Sequence, residues 1–341
     1  MTPERVLFRV DTGPQVGLGH LQRCLAVAHA LAERGIDSSF AVPDASSVAD
    51  RVGGFDLVEL PGSARPEDVA AAAAGSPVVV DSYAVDGAYL SRLHEEVAAL
   101  AVIDDRAAFP VAGRLCVNGG ANAPSLPYRS ASGNTRFLLG TDYTMLGAGF
   151  WDAVPRPTAD PVSNVLLTLG GSDPHGLGPR LLAALGRLAV APTITLVVGP
   201  YFVRPAALAE AAAGYRQRVV LLEAPPSLAP AMAEADLAVS AAGQSVYELL
   251  RLGVPTVALT IAPNQTAGLA ALAARGAVIA AGGADDAGID ELVANEVRRL
   301  AGDGMRRRTL AETGRALVDG QGARRVAAAL AGLRAGSTSG T

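Results

Sequence analysis

His20 closes a glycine-rich stretch, Asp11-Thr12-Gly13-Pro14-Gln15-Val16-Gly17-Leu18-Gly19, between an apolar run at 6–10 and a helical pattern at 21–31. A histidine on the first turn of a helix, after such a loop, can take or give a proton near neutral pH. Gly17 and Gly19 let backbone approach a ligand, and the helix N-terminus offers free N–H groups and partial positive charge. Asp11 and Tyr83, both at strand ends, are candidates to orient that histidine or an acceptor. The competing reading is a tight turn with His20 as an ordinary helix residue. The spacing of Gly13, Gly17 and Gly19 is not G-x-G-x-x-G, and no P-loop lysine follows.

Three further loops carry groups suited to an anionic or sugar ligand. Gly170-Gly171-Ser172-Asp173 follows a strand pattern and precedes a helix, so Gly171 and Ser172 can meet phosphate; a tight turn with a capping Ser or Asp is the alternative. Gly243, Gln244 and Ser245 lie between a strand and a helix N-terminus, the arrangement of a diphosphate site. Glu248, one turn on, can accept both hydroxyls of a ribose. It can also be a favourable charge in the first turn, with Arg251 at pairing distance along the helix. Asn264 and Gln265 follow another strand and can address sugar hydroxyls or phosphate, or Asn264 can cap the next helix. His29, His94 and His175 read as structural or surface residues, although His175 is near enough to the second loop to touch a ligand. No histidine spacing suggests a metal, and no G-x-S-x-G elbow is present.

The elements that must carry these loops are alternating strands and helices. Near-continuous apolar strands between amphipathic helices imply α/β architecture with parallel sheets covered on both faces. Polar residues recur at strand carboxyl ends, namely Asp11, Asp81, Tyr83, Asp104, Asp105 and Asn118. Ligands of open α/β sheets bind at that edge. Pro155, Pro157 and Pro161 break the pattern between 151 and 163. Two Rossmann-like domains are expected, at 1–155 and 156–334, facing each other across a cleft. The tail at 335–341 is expected to be disordered.

Composition narrows the function. Of 341 residues half are hydrophobic, all 28 basic residues are arginine, and the formal net charge is -5. A mildly acidic chain argues against a general nucleic-acid or anionic-membrane surface. The triplet Arg306-Arg307-Arg308 reads as a solvated helix face. Cys24 and Cys116 form no CxxC pair and read as buried free thiols. No signal peptide and no membrane span are expected, which points to a cytoplasmic protein.

Taken together, Arg9-x-Asp11 with Gly17-x-Gly19-His20-x-x-Arg23-Cys24 resembles the start of the pseudaminic-acid-pathway nucleotide-sugar hydrolases, which are similar to spore-coat polysaccharide proteins. The resemblance continues through Asp81-Ser82-Tyr83, Asp104-Asp105, Asn118, Leu139-Gly140-x-x-Tyr143-x-Met145-Leu146 and Gly170-Gly171-Ser172-Asp173. It ends with Ala242-Gly243 to Glu248, Gly253-x-Pro255 and Asn264-Gln265. The C-terminal half also resembles the UDP-sugar half of MurG-type glycosyltransferases. The resemblance implies a GT-B fold, with the acceptor side N-terminal and the nucleotide sugar mainly C-terminal. It implies His20 as catalytic base, Asn264 near the nucleotide sugar, and Tyr83 at the family's tyrosine position. Relatives similar to cytosylglucuronate synthases join a UDP-sugar to a pyrimidine base. The expected activity is transfer of a sugar, such as glucuronate, from UDP to a small acceptor such as a pyrimidine base. Hydrolysis with water as acceptor is the alternative, and a non-catalytic sugar-nucleotide-binding protein the third reading. No cofactor and no metal are required, and the oligomeric state is left open.

Overall fold

The computed structural model describes residues 4–13, 18–187, 192–202, 205–215 and 218–333. Gly17 and the tail at 335–341 lie outside them. The chain divides into two compact units, Met1–Ala148 with Gly320–Thr341, and Gly149–Asp319.

The first unit is built on β1 (Arg5–Val10), α1 (Gly19–Ala32), β2 (Asp37–Val42), α2 (Ala49–Val52), β3 (Asp56–Glu59), α3 (Pro66–Ala73), β4 (Val78–Asp81), α4 (Gly87–Glu96), β5 (Leu100–Ile103), β6 (Leu115–Asn118) and β7 (Arg136–Leu139). Strands β1, β4, β5 and β6 are almost fully buried, as their Val, Leu and Ile runs require of a sheet covered on both faces. The seven strands pair in parallel in the order β3-β2-β1-β4-β5-β6-β7. The order reverses between β1 and β4, so the loops leaving those two strands diverge to opposite faces and open a crevice at their carboxyl ends. Strand β7 escapes the sequence pattern: it is four residues long and half exposed on the sheet edge.

The second unit contains β8 (Asn164–Thr168), α5 (Leu177–Gly186), β9 (Thr193–Val198), α6 (Pro205–Ala213), β10 (Val219–Glu223), α7 (Ala229–Glu234), β11 (Leu237–Ala241), α8 (Gln244–Leu252), β12 (Thr256–Thr260), α9 (Thr266–Ala274), β13 (Ile279–Gly283), α10 (Ile289–Gly302) and α11 (Gly304–Leu317). Its six parallel strands run β10-β9-β8-β11-β12-β13 and reverse between β8 and β11. Leu181, Leu185, Val293 and Val297 from the helices pack with Leu167, Leu196, Val239 and Val257 from the sheet.

The unit boundaries differ from the 155/156 division drawn on the prolines. The proline-rich segment is tied to the second unit. The buried Asp236 carboxylate accepts from Ser163 N and Asn164 N at 2.9 Å each and pairs with Arg156. Arg251 Nη2 donates to the carbonyls of Trp151 and Ala153, both at 2.9 Å. Arg307, expected to be solvated, is fully buried and donates to the carbonyls of Leu300, Ala301 and Ala159. Five fixed donors let a guanidinium gather carbonyls that would otherwise be unmatched.

The last helix, α12 (Gly322–Ala331), returns to the first unit. Arg324 grips Glu33 with Nε and Nη2 at 2.9 and 2.8 Å, and Arg325 Nη1 donates to Asp142 O at 2.9 Å. A Cβ on Gly322 would stand 2.2 Å from the Thr144 carbonyl oxygen, so α12 seats itself only with glycine there. Gly322→Ala is expected to destabilise the protein by about 1–3 kcal/mol through overpacking against backbone. Urea unfolding followed by circular dichroism checks this; an unchanged midpoint would mean that the contact yields freely. Among the described residues no helix is long and apolar enough to cross a membrane.

Candidate active site

In the first unit the strand reversal brings together the end of β4 and the start of α1. His20 is buried, and its Nδ1 lies 2.5 Å from Asp81 Oδ1. Arg23, one turn along α1, holds the same carboxylate with two donors, Nε to Oδ2 at 2.5 Å and Nη2 to Oδ1 at 2.6 Å. Its Nη1 reaches Asp105 Oδ2 at 2.8 Å. Burial alone would raise the Asp81 carboxyl, but the Arg23 charge and hydrogen bonds, followed by His20, outweigh it and hold the group at about 2. Burial likewise opposes the Arg23 charge, and Asp105 and Asp81 more than restore it.

An ionised carboxylate against Nδ1 fixes the tautomer. In the neutral imidazole the Nδ1 proton is donated to Asp81, and Nε2 keeps its lone pair. The longer 3.4 Å approach of Arg23 Nη2 to Nδ1 does not compete with the 2.5 Å carboxylate contact. A base oriented by a buried carboxylate is the acid–base half of the arrangement used in nucleophilic catalysis.

The two other residues singled out for orientation have different partners. The Asp11 carboxylate is consumed by Arg9, by Ser82 Oγ at 2.7 Å and by Tyr83 N at 3.0 Å, so it shapes the turn after β4 and does not touch the imidazole. Tyr83 does touch it: the rings meet edge to face with centroids 4.5 Å apart, and the phenol donates to Asp105 Oδ2 at 2.8 Å. Asp81 itself was legible as a polar strand end and as part of the Asp81-Ser82-Tyr83 motif, but not as the partner of His20, which lies 61 residues away in the chain.

In the second unit the loops leaving β8, β11 and β12 carry the remaining candidates. Gly170 takes φ +83°, and the turn after β9 lies directly against the loop: a Cβ on Gly199 would be 2.4 Å from the Gly171 carbonyl oxygen. That oxygen accepts from Tyr201 N at 2.9 Å. Asp173 accepts from Leu177 N and Gly178 N at 2.8 and 2.7 Å and so starts α5, its capping role. The hydroxyls of Ser172 and Ser245 and the amide of Asn264 have no partner among the described residues, and Asn264 does not cap a helix. The N-terminus of α8 follows Gly243, which has no side chain to cap it.

Gln265 is brought to the same place. Its Oε1 accepts from Ile261 N at 2.9 Å, and its Nε2 lies 3.6 Å from the point where a Gly243 side chain would begin. His175 ties this loop to the one after β8, with Nε2 3.1 Å from the Ile261 carbonyl oxygen. Glu248 is buried on α8 with no hydrogen-bond or ion-pair partner among the described residues; Arg251 turns to the carbonyls of Trp151 and Ala153 instead. Burial pushes the Glu248 carboxyl up to about 7. A buried, unpartnered carboxylate is costly, and such groups concentrate where a ligand completes them. Among the described residues no group of three or more His, Cys, Asp or Glu side chains is placed to hold a metal ion.

Comparison with known proteins bears on the fold. No family model matches the chain. SpsG of Bacillus subtilis, a spore coat polysaccharide biosynthesis protein, is 33% identical over 212 residues, which are 59% of this chain and 60% of SpsG. The chain therefore matches less than two thirds of that relative. MurG of Acinetobacter baumannii superposes with a TM-score of 0.65 at 17% identity, covering 96% of this chain and 99% of MurG. The fold is GT-B. The spinosyn rhamnosyltransferase SpnG, in complex with the spinosyn aglycone, shares it with a TM-score of 0.64 at 17% identity over 96% of this chain and 99% of SpnG.

Proposed function

We propose that the protein transfers a sugar from a UDP-sugar to a small acceptor. The loops of the second unit hold the donor, and His20 of the first unit is the general base. The observation that carries this reading is the His20–Asp81 pair at the strand reversal of the first unit. It supplies a base with a fixed tautomer where open α/β sheets bind ligands.

In the proposed reaction, His20 Nε2 takes the proton of the acceptor hydroxyl or N–H. The nucleophile forms its bond to the anomeric carbon as the C–O bond to UDP breaks, and UDP leaves with the electron pair. Asp81 stabilises the imidazolium that results. Gly171, Ser172, Gly243, Gln244, Ser245 and the amides of the α8 N-terminus meet the diphosphate, whose growing charge they stabilise. Glu248 accepts the ribose hydroxyls, and Asn264 and Gln265 address the sugar. A carboxylated sugar such as glucuronate and a pyrimidine base are the leading donor and acceptor.

The same base can activate water. The order of motifs resembling those of the nucleotide-sugar hydrolases favours that second reading, in which water replaces the acceptor. The deciding experiment measures UDP release from a panel of UDP-sugars, including UDP-glucuronate and diacetamido-sugar nucleotides, with and without cytosine. Acceptor-dependent release with a conjugate of the summed mass is expected. Equal release in water alone, with free sugar as product, would replace transfer by hydrolysis. Binding with no release under any condition would leave a sugar-nucleotide-binding protein.

A further inference from the structure

Three guanidiniums belong to the His20 cluster, and two of them are closed on themselves. Arg9 pairs with Asp11 and donates to Gly62 O at 2.7 Å. Arg23 is divided between Asp81 and Asp105. Arg106 is different: it is exposed and makes no ion pair among the described residues. It is nevertheless held in place. Its Cζ lies 4.6 Å from the centroid of the Tyr83 ring, and its Nη2 donates to Tyr83 O at 3.2 Å. Tyr83 in turn is fixed at its phenol by Asp105 and at its amide by Asp11, and its ring meets His20. The cation is thus pinned one aromatic ring away from the imidazole.

A guanidinium lying over a ring keeps its charge, and the N–H groups not given to Tyr83 O remain available in its own plane. That fork matches the two oxygens of a carboxylate or phosphate. The surroundings give the charge a purpose. The cluster holds four carboxylates, Asp11, Asp81, Asp104 and Asp105, against Arg9, Arg23 and Arg106. With Arg106, whose backbone N–H also donates to Asp104, the cluster carries one net negative charge, and without it two, so Arg106 is the cation at this edge that offsets part of the repulsion of an anionic substrate.

We propose that Arg106 is the anion-binding residue of the first unit, holding a carboxylate or phosphate of the substrate that His20 serves. The proposal rests on the transfer reading above and adds a substrate class to it. The anion has two sources, the diphosphate of the donor or a carboxylate on its sugar.

The test compares the wild-type chain with Arg106→Gln and Arg106→Lys. Calorimetry measures binding of UDP and uridine, and kinetics compare UDP-glucuronate with the neutral UDP-glucose. If the sugar carboxylate is the ligand, Arg106→Gln lowers the preference for UDP-glucuronate over UDP-glucose by at least about tenfold and leaves UDP binding unchanged. If the diphosphate is the ligand, both sugars lose affinity together, and UDP weakens by about tenfold or more while uridine does not. In either case Arg106→Lys restores part of the loss, because it keeps the charge without the fork. An Arg106→Gln protein that binds UDP and uridine, and turns over UDP-glucuronate and UDP-glucose, as the wild type does would overturn this proposal alone. A wild-type protein that binds no UDP-sugar would overturn the transfer reading with it.

Discussion

His20→Ala is expected to lower kcat for UDP-sugar turnover by about 10³-fold, the loss of a positioned general base, while UDP still binds. Its buried partner gives the sharper result. Asp81→Asn keeps the size and shape of the side chain but offers an amide where the imidazole Nδ1–H needs an acceptor. The ring is then free to take the other tautomer, with the proton on the nitrogen that must accept one. A comparable change in the serine-protease triad costs about 10⁴ in kcat, and a loss of about 10²–10⁴ is expected here. Asp81 also anchors Arg23 through two hydrogen bonds, so the substitution removes an ionic partner from a buried guanidinium. For that reason circular dichroism and the Tm of the variant are measured alongside kcat, because Asp81 and Arg23 belong to the first unit whereas UDP affinity reports on the loops of the second. Single-turnover rates with saturating donor separate the outcomes. A His20→Ala protein that turns over at the wild-type rate would remove the proposed mechanism, whatever happens at Asp81.

Glu248→Gln is expected to act on stability and on binding in opposite directions. The folded protein holds the Glu248 carboxyl at about 7, above its ordinary 4.5. A carboxyl raised on folding binds its proton more tightly in the folded state. Stability is therefore not penalised below about 4.5, falls as the pH rises from there to 7, and carries the full penalty above 7. That penalty is about 3 kcal/mol. Glutamine does not ionise, so the variant is expected to have a higher Tm than wild type at pH 8 and nearly the same Tm at pH 4. If the ribose hydroxyls are the missing donors, ligand binding draws Glu248 into its charged form. UDP affinity then rises with pH up to about 7, binding releases a proton, and both effects vanish in the variant along with at least about tenfold of the affinity. Calorimetry in two buffers of different ionisation heat reads the proton directly. A variant that binds UDP as tightly as wild type, at every pH, would remove Glu248 from the donor site.

Both predictions concern residues that the sequence marks unevenly. His20 was legible because a glycine loop, a strand and a helix start are local features, each marked by residues within a few positions of one another. Glu248 was legible as a carboxylate one turn into a helix, but its isolation was not: Arg251, three residues on, looked like a partner and is turned to the carbonyls of Trp151 and Ala153. Asp11 and Asp81 are both aspartates at strand ends, and nothing in the chain ranks one above the other. The pairing of Val10 with Asp81 in neighbouring strands brings α1 over the end of β4, and the histidine then meets Asp81.

The sequence by itself determined the alternation of strand and helix, the parallel sheets, and the loops that carry His20, Gly171, Gly243 and Gln265. Hydrophobic period and glycine placement act over short stretches, so the residues themselves record them. Tertiary structure alone decided which carboxylate orients the imidazole, that Arg307 is buried among carbonyls, that Glu248 has no ion-pair partner among the described residues, and that α12 packs on the first unit through Gly322. The deciding contacts join groups far apart in the chain: 61 residues for His20 and Asp81, 148 for Arg307 and Ala159, and 291 for Glu33 and Arg324. Burial and ion pairing are properties of such meetings, and they come into being only when the sheets close and the helices cover them.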